Sequence, residues 1–420
     1  MKRGFYAVMA AEFFSSLADN ALLLVAIALL AEISAPGWMT PMLRQVFIIS
    51  YIVLAAFVGA FADSFPKGKV MFMTNSVKIF GCSLFFFGVH PLLAYSLVGF
   101  GAAAYSPAKY GIITEMIPPE KLVTANGWIE GLTVTSIILG TVTGGALVNA
   151  TVSAFLLERV FPFLNSPSIA ALLVVAFIYV LAALFNLRIP DTGARYEKQP
   201  KNPLTLFSSF YRSFTILWKD KLGQISLAVT TLCWGAGATL QFIVLKWAET
   251  SLHLTLDKAA LLQGVFAIGI TFGAVGAARF VSLRKALSIM FLGVVMGLVV
   301  MIMTLVSSIW IAYPLLILIG ALAGFFIVPM NALLQHRGHV LLSAGHSIAV
   351  QNFNENISIL TMLSVYGLMI MLDLDIHTII IIFGLFVMST MLMVMRWQTV
   401  NQKKYNSLSL LQRQDVHHSP

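Results

Sequence analysis

The sequence predicts an all-α integral membrane protein whose twelve transmembrane helices form two six-helix bundles. Of 420 residues, 59% are hydrophobic and 10% charged, with a mean hydropathy of +0.90, against roughly 25% charged in a soluble domain. The apolar residues run in stretches of about 20, the length a helix needs to cross hydrocarbon, and lack the alternation of a barrel strand. One long polar insertion, 189–222, divides these stretches six and six. Lipid admits only structures that satisfy every backbone polar group internally. A soluble enzyme, a secreted domain and a nucleic-acid binder are therefore excluded.

The first span, 5–33, follows Met-Lys-Arg, exceeds a signal-peptide core and lacks a small-residue cleavage site, so it is expected to stay in the mature protein. Breaks of proline, glycine and charge place the next five at 40–62, 69–90, 92–115, 123–150 and 168–188. The second set falls at 224–248, 256–281, 284–306, 309–335, 343–372 and 375–397. The expected organisation is an N-terminal six-helix bundle (1–188), a cytoplasmic linker (189–222), a C-terminal six-helix bundle (223–397) and a cytoplasmic tail (398–420). Within the linker, 202–218 mixes Phe207, Phe210, Tyr211, Phe214, Leu217 and Trp218 with Arg212, and Lys219 follows. That pattern predicts an amphipathic helix in the membrane interface, tying the halves together. The polar tail is expected to be disordered.

The net charge of +9 has a topological cause. With the N-terminus inside, Lys2, Arg3, Lys67, Lys69, Lys121, the basic residues of the linker, Arg279, Arg284, Lys285, Arg337, Arg396, Lys403 and Lys404 fall on one face. Arg44, Arg159 and Lys258 fall on the other. This asymmetry puts both termini in the cytoplasm and accounts for the charge without a nucleic-acid partner. Cys82 and Cys233 lie in apolar stretches and read as small buried hydrophobes. The eight histidines are scattered at loops and ends, with no H-E-x-x-H, phosphate loop or metal-ligand cluster, so no enzyme, metal or cofactor is expected.

An ionised group at the bilayer centre costs about 2.5–3.5 kcal/mol even on the lenient insertion scale. The charges inside spans, Glu12, Asp19, Lys78, Lys109, Glu130, Lys246 and Glu355, are therefore the best pointers to function. Asp19 lies about 14 residues into the first span, roughly 21 Å along it, with Glu12 two turns earlier on the same face. A carboxylate there either binds substrate or a cation, or pairs with a basic residue merely to satisfy itself. Lys109 shares a face with Tyr105, which suits a phosphate; the alternative is a lysine reaching for the cytoplasmic interface. Glu130 and Glu355 suit an ammonium headgroup, protons or interhelical hydrogen bonds. Lys78 and Lys246 lie nearer span ends, and Lys78 reads as reaching for the interface.

Traces of an internal repeat accompany these charges, as in transporters whose two bundles rock about a midplane site. Pro107-Ala-Lys109 is echoed by Pro329-Met-Asn331, Asn126-Gly-Trp-Ile-Glu130 by Gln351-Asn-Phe-Asn-Glu355, and Asp19 by Gln241. The loop Gly59-Ala-Phe-Ala-Asp63-Ser-Phe-Pro-Lys67-Gly-Lys69 resembles the G-x-x-x-D-x-x-G-R-[RK] loop of the major facilitator superfamily, with a weaker partner at Gly273–Arg279. Asp63 with Lys67, Lys69 and Arg279 is expected to form a cytoplasmic gating latch.

Further segments resemble one family within that superfamily, the bacterial lysophospholipid transporters. They are Leu17-Ala-Asp19-Asn20-Ala-Leu-Leu, Ala56-Phe-Val-Gly59, Gly101-Ala-Ala-Ala-Tyr105-Ser-Pro107-Ala-Lys109-Tyr110-Gly111, Ala125-Asn126-Gly127, Trp234-Gly-Ala-Gly237, Val328-Pro329 with Asn331-Ala-Leu-Leu-Gln335, and Ala349-Val-Gln351-Asn352 with Glu355-Asn356. They span nearly the whole chain in order. The resemblance implies a major facilitator fold that moves lysophosphatidylethanolamine and lysophosphatidylglycerol from the outer to the inner leaflet of the bacterial inner membrane. A separate acyltransferase/acyl-carrier-protein synthetase would then reacylate them. It makes Asp19, Lys109 and Glu355 the headgroup or cation site. With neighbours in the pattern, the candidate substrate-binding residues are Asp19, Asn20, Tyr105, Lys109, Glu130, Gln241, Lys246, Asn331, Asn352 and Glu355. Na⁺ and H⁺ are the candidate coupling ions, with Asp19 as a candidate cation site. Gln241 departs from the family pattern, which has an arginine there. The rival expectations are a cation-coupled exporter of amphiphilic drugs and an inactive scaffold for the acyltransferase.

Overall fold

Proline, glycine and charge break the apolar chain close to the expected positions. A computed structural model describes residues 3–36, 39–164, 166–197, 199, 202–254 and 256–411. Lys2, Lys198 and Lys201 of the basic face, and tail residues 412–420, lie outside the described residues. Fifteen α-helices run in order: α1 Arg3–Glu32, α2 Met39–Val53, α3 Ala55–Ser64, α4 Lys67–Phe86, α5 Pro91–Met116, α6 Leu122–Val148, α7 Ala150–Phe155, α8 Pro167–Asn186, α9 Pro203–Lys219, α10 Gly223–Ser251, α11 Leu256–Phe280, α12 Phe291–Ile302, α13 Ile309–Leu341, α14 Ala344–Met371 and α15 Ile376–Tyr405.

Seven of these are long and apolar enough to cross a membrane alone, and two further spans are bent pairs. The second span bends by 65° between α2 and α3, and the ninth by 42° between the short helix Leu283–Ile289 and α12. The remaining three, α4, α5 and α14, are of comparable length but richer in lysine, amide, hydroxyl and glycine residues. Every expected span is thus a helix or a helix pair.

Between helices in lipid there is little hydrophobic driving force, so close van der Waals packing must hold them together. α11 and α13 cross on glycines spaced four apart, Gly269 and Gly273 on one and Gly320 and Gly324 on the other. A Cβ at Gly273 would overlap the carbonyl of Ala321, and one at Gly320 the carbonyl of Phe266. Gly140 and Gly144 of α6 do the same against Leu17 and Ala21 of α1. Pro107 in α5 and Pro329 in α13 stand inside their helices, where each removes one backbone donor.

The chain divides into two compact units. The first comprises Met1–Met116, Thr135–Phe210 and Ala344–Ala349; the second comprises Ile117–Val134, Tyr211–Ser343 and Val350–Pro420. α6, α9 and α14 each contribute to both. The core of the first gathers Leu22, Val25, Val98, Leu172, Val175 and Tyr179. That of the second gathers Ile243, Trp247, Leu316, Ile319, Ile379 and Phe383.

In the linker, α9 has the expected amphipathic form: Leu204, Phe207 and Tyr211 are exposed while Ser213 and Leu217 are buried. The tail requires correction. α15 continues beyond Gln398 to Tyr405, stopped by Asn406 in the left-handed conformation (φ 45°), and the short helix Ser407–Leu411 follows. Tertiary hydrogen bonds order this polar stretch. Asn401 donates to the carbonyl of Lys221 (3.2 Å), and the carbonyl of Leu410 accepts from Arg337 (3.0 Å).

Candidate functional site

The helical repeat of α1 places Glu12, Ser15 and Asp19 on one face of the first unit, three and four residues apart. Both carboxylate oxygens of Asp19 are engaged: Oδ2 accepts from Lys78 Nζ of α4 at 2.8 Å, and Oδ1 from the Tyr179 hydroxyl of α8 at 2.7 Å. Lys78 also donates to Ser15 Oγ (2.9 Å), which donates to Asn75 Oδ1 (2.9 Å). Its ammonium lies 5.0 Å from the Tyr105 ring centroid and 5.8 Å from that of Tyr179. Seven residues before Asp19, Glu12 accepts from Lys109 Nζ of α5 at 2.9 Å, and that ammonium stands 4.3 Å from the Tyr110 ring.

These contacts correct the sequence reading of Lys78. Its side chain is 1% exposed and ion-paired, because position 78 lies far enough inside α4 to meet Asp19 rather than the interface. Lys109 is likewise buried against Glu12. Asn20 turns back on its own helix, donating to the Ser16 carbonyl (2.8 Å). The Tyr105 hydroxyl is buried and makes no hydrogen bond among the described residues.

A second cluster in the same unit forms where the C-terminus of α3 meets the N-terminus of α14. Asp63 accepts from Lys67 Nζ (2.5 Å) and the Gly345 backbone N–H (3.0 Å), and lies 2.9 Å from His346 Nδ1. A carboxylate at a helix N-terminus gains from the positive end of the helix dipole. Lys67 also lies 3.7 Å from Glu115, which accepts from Thr192 (2.6 Å) and the Tyr196 hydroxyl (2.9 Å). Burial, with the Glu115 carboxylate beside it, raises the Tyr196 phenol well above its ordinary pKa. Of the expected latch, Asp63 and Lys67 are together. Lys69 is exposed over the Phe65 ring, and Arg279 is exposed beside Phe280; neither joins the cluster.

In the second unit, three expected residues, Glu130, Asn331 and Glu355, are linked through the amide of Gln351, which was not among the candidates. Glu130 Oε1 accepts from Asn331 Nδ2 (3.2 Å), Asn331 Oδ1 accepts from Gln351 Nε2 (3.2 Å), and Gln351 Nε2 also donates to Glu355 Oε1 (2.7 Å). Asn126 and Gln335 exchange two buried hydrogen bonds nearby in sequence on α6 and α13 (2.8 and 2.9 Å). Asn352 is buried on α14. Gln241 offers its backbone carbonyl to Gln263 (3.2 Å). Lys246 is a correction: it is exposed and paired with Glu249 one turn on (3.2 Å), not with a network carboxylate.

Sequence reasoning missed Ser15, Asn75, Tyr179 and His346. A tyrosine in the middle of the apolar run 169–185 was the available signal. His346 is recognisable only once the fold sets it against Asp63.

The geometry is of a kind found in membrane transporters: helix pairs packed on glycines, charge pairs made by the first helix, and a buried aspartate cluster after the second span. The Major Facilitator Superfamily model matches residues 8–361. The chain is 43% identical to the lysophospholipid transporter LplT of Yersinia enterocolitica, over 90% of this chain and 89% of that one. It is 44% identical to the LplT of Yersinia pestis (strain Pestoides F), covering 89% and 88%. The chain belongs to the Major Facilitator Superfamily and, within it, to the family of these lysophospholipid transporters. Its fold is similar to that of the E. coli fucose:proton symporter FucP (TM-score 0.72, 13% identity, 94% of this chain and 98% of that one). It is also similar to a bacterial homologue of the iron transporter ferroportin (TM-score 0.71, 13% identity, 96% and 100%).

Proposed function

We propose that this protein carries lysophospholipids, chiefly lysophosphatidylethanolamine and lysophosphatidylglycerol, from the outer to the inner leaflet of the bacterial inner membrane. A separate acyltransferase/acyl-carrier-protein synthetase would restore the second chain there. The observation that carries this reading beyond family membership is the buried charge set on α1, two carboxylates and two ammonium groups in direct contact. A headgroup that must leave water needs replacement partners for its charges. Lys109 can exchange Glu12 for a lipid phosphate, and Asp19 can exchange Lys78 for an amine.

In the second unit, Glu130, Asn331, Gln351, Asn352 and Glu355 supply acceptors and donors for the hydroxyls and amine of a headgroup or for a coupling cation, Na⁺ or H⁺. Gln241 replaces a charged fork with a neutral amide, and the exposed Lys246 takes no headgroup role. The Asp63–Lys67–His346 cluster acts as the cytoplasmic latch that yields as the bundles rock, with both termini in the cytoplasm.

The test is transfer of labelled lysophosphatidylethanolamine into spheroplasts of a strain lacking its own transporter, scored by conversion to diacyl lipid with the acyltransferase present. Conversion that depends on this chain supports the reading. No difference, with the protein confirmed in the membrane, overturns it and turns the search to amphiphilic drugs.

A further inference from the structure

We infer that Lys78 is a built-in counter-charge for Asp19 that sets the headgroup preference of the carrier, so that the Asp19–Lys78 pair discriminates zwitterionic from anionic lysolipids. The inference rests on the lysophospholipid reading above and deepens it.

Three features carry it. First, the two partners are unequally placed: the Lys78 side chain is 1% exposed and that of Asp19 18%, so a ligand reaches the carboxylate while the ammonium stays behind it. Second, Lys78 does not depend on Asp19 for its position. Ser15 accepts from it at 2.9 Å, Ser15 is in turn fixed by Asn75, and the rings of Tyr105 and Tyr179 flank the ammonium. Third, Asp19 keeps the Tyr179 hydroxyl on its other oxygen, so exchanging Lys78 for another cation leaves the carboxylate oriented.

The titratable side chains around the pair include Glu12 on α1, Tyr51 on α2, Cys82 on α4, Tyr95, Tyr105 and Lys109 on α5, and Tyr179 on α8, with Arg44 of α2 acting on Tyr95. Glu12 and Lys109 offset one another as Asp19 and Lys78 do. A phosphoethanolamine head is also neutral overall and can trade partners with both pairs without leaving a charge over. A phosphoglycerol head brings one negative charge and no amine, and it needs Lys78 in place to offset Asp19. In a poorly screened site, one uncompensated charge within a few ångströms is enough to shift affinity at least about tenfold.

The experiment measures uptake of labelled lysophosphatidylethanolamine and lysophosphatidylglycerol side by side in spheroplasts carrying the unaltered chain, Lys78→Met, Asp19→Asn or the double variant. Membrane abundance is scored for each, with Lys78→Arg as the charge-preserving control. Lys78→Met should raise the ratio of ethanolamine to glycerol lipid at least about tenfold, and Asp19→Asn should lower it. The double variant should return the ratio close to that of the unaltered chain, as should Lys78→Arg. A purely structural role would depress both lipids together, and an unchanged ratio in the single variants overturns the inference. If Lys78→Met does not accumulate, the fall in ratio for Asp19→Asn and its reversal in the double variant decide the matter. If the unaltered chain moves neither lipid, the lysophospholipid reading itself falls, and this inference with it.

Discussion

The two units solve the same problem, polar groups in a hydrocarbon environment, with different chemistry. On α1 of the first unit, each carboxylate meets an ammonium, the part-exposed Asp19 with Lys78 and the buried Glu12 with Lys109. In the second, Glu130 and Glu355 are met by the amides of Asn331 and Gln351. An ammonium fixes its carboxylate in the charged state, and losing either partner strands the other. An amide donor supports the charged form but leaves protonation as a cheap escape. The first unit therefore offers ion pairs whose members a charged headgroup can exchange, and the second a run of neutral amide donors between carboxylates.

The sharpest way to break this contrast is to remove one member of an ion pair. Lys109→Ala leaves Glu12 buried and unpaired and should cost about 3–5 kcal/mol, read as a lowered unfolding midpoint of the purified protein in detergent. Gln351→Leu in the second unit should cost less, about 1–3 kcal/mol, because it removes neutral amide hydrogen bonds and not a member of an ion pair; a loss as large as that of Lys109→Ala would contradict the contrast. Tyr179→Phe removes one neutral donor from Asp19 and should cost about 1.5 kcal/mol while leaving the Lys78 pair, with uptake lowered but present. Lys246→Ala, at an exposed pair of low value, should change stability by less than about 0.5 kcal/mol and leave uptake unaltered. A strong uptake defect there would restore Lys246 to the headgroup set.

Much of the architecture was legible because lipid enforces it. Apolar stretches of a fixed length, broken by proline and charge, leave few alternatives to helices; each expected span appears as a helix or helix pair, and among the described residues nine of these are long and apolar enough to cross a membrane. The bend at residue 54 was not legible, since nothing in Val53-Leu54-Ala55 distinguishes it from a straight helix. Nor was the ordered start of the tail, whose polar composition hides the tertiary bonds of Asn401 and Leu410. At the site, sequence picked out the charged residues because their cost in lipid makes each one conspicuous. It could not pair them. Lys78 was misread because distance from a span end was judged in sequence, whereas its fate is decided by Asp19, 59 residues away. Tyr179, Ser15 and Asn75 escaped because uncharged polar groups are common in such helices and become informative only around a charge.

The central claim is that the charge pairs of α1 serve transport and not only folding, and one double variant tests it most directly. Glu12→Gln with Lys109→Met removes both charges of the pair together, so that neither strands the other. Uptake of labelled lysophosphatidylethanolamine should then fall to the level of cells without the protein, although the variant reaches the membrane in normal amount and unfolds near the midpoint of the unaltered chain. Uptake that persists at the unaltered rate would show that the pair only satisfies itself, and would contradict the account.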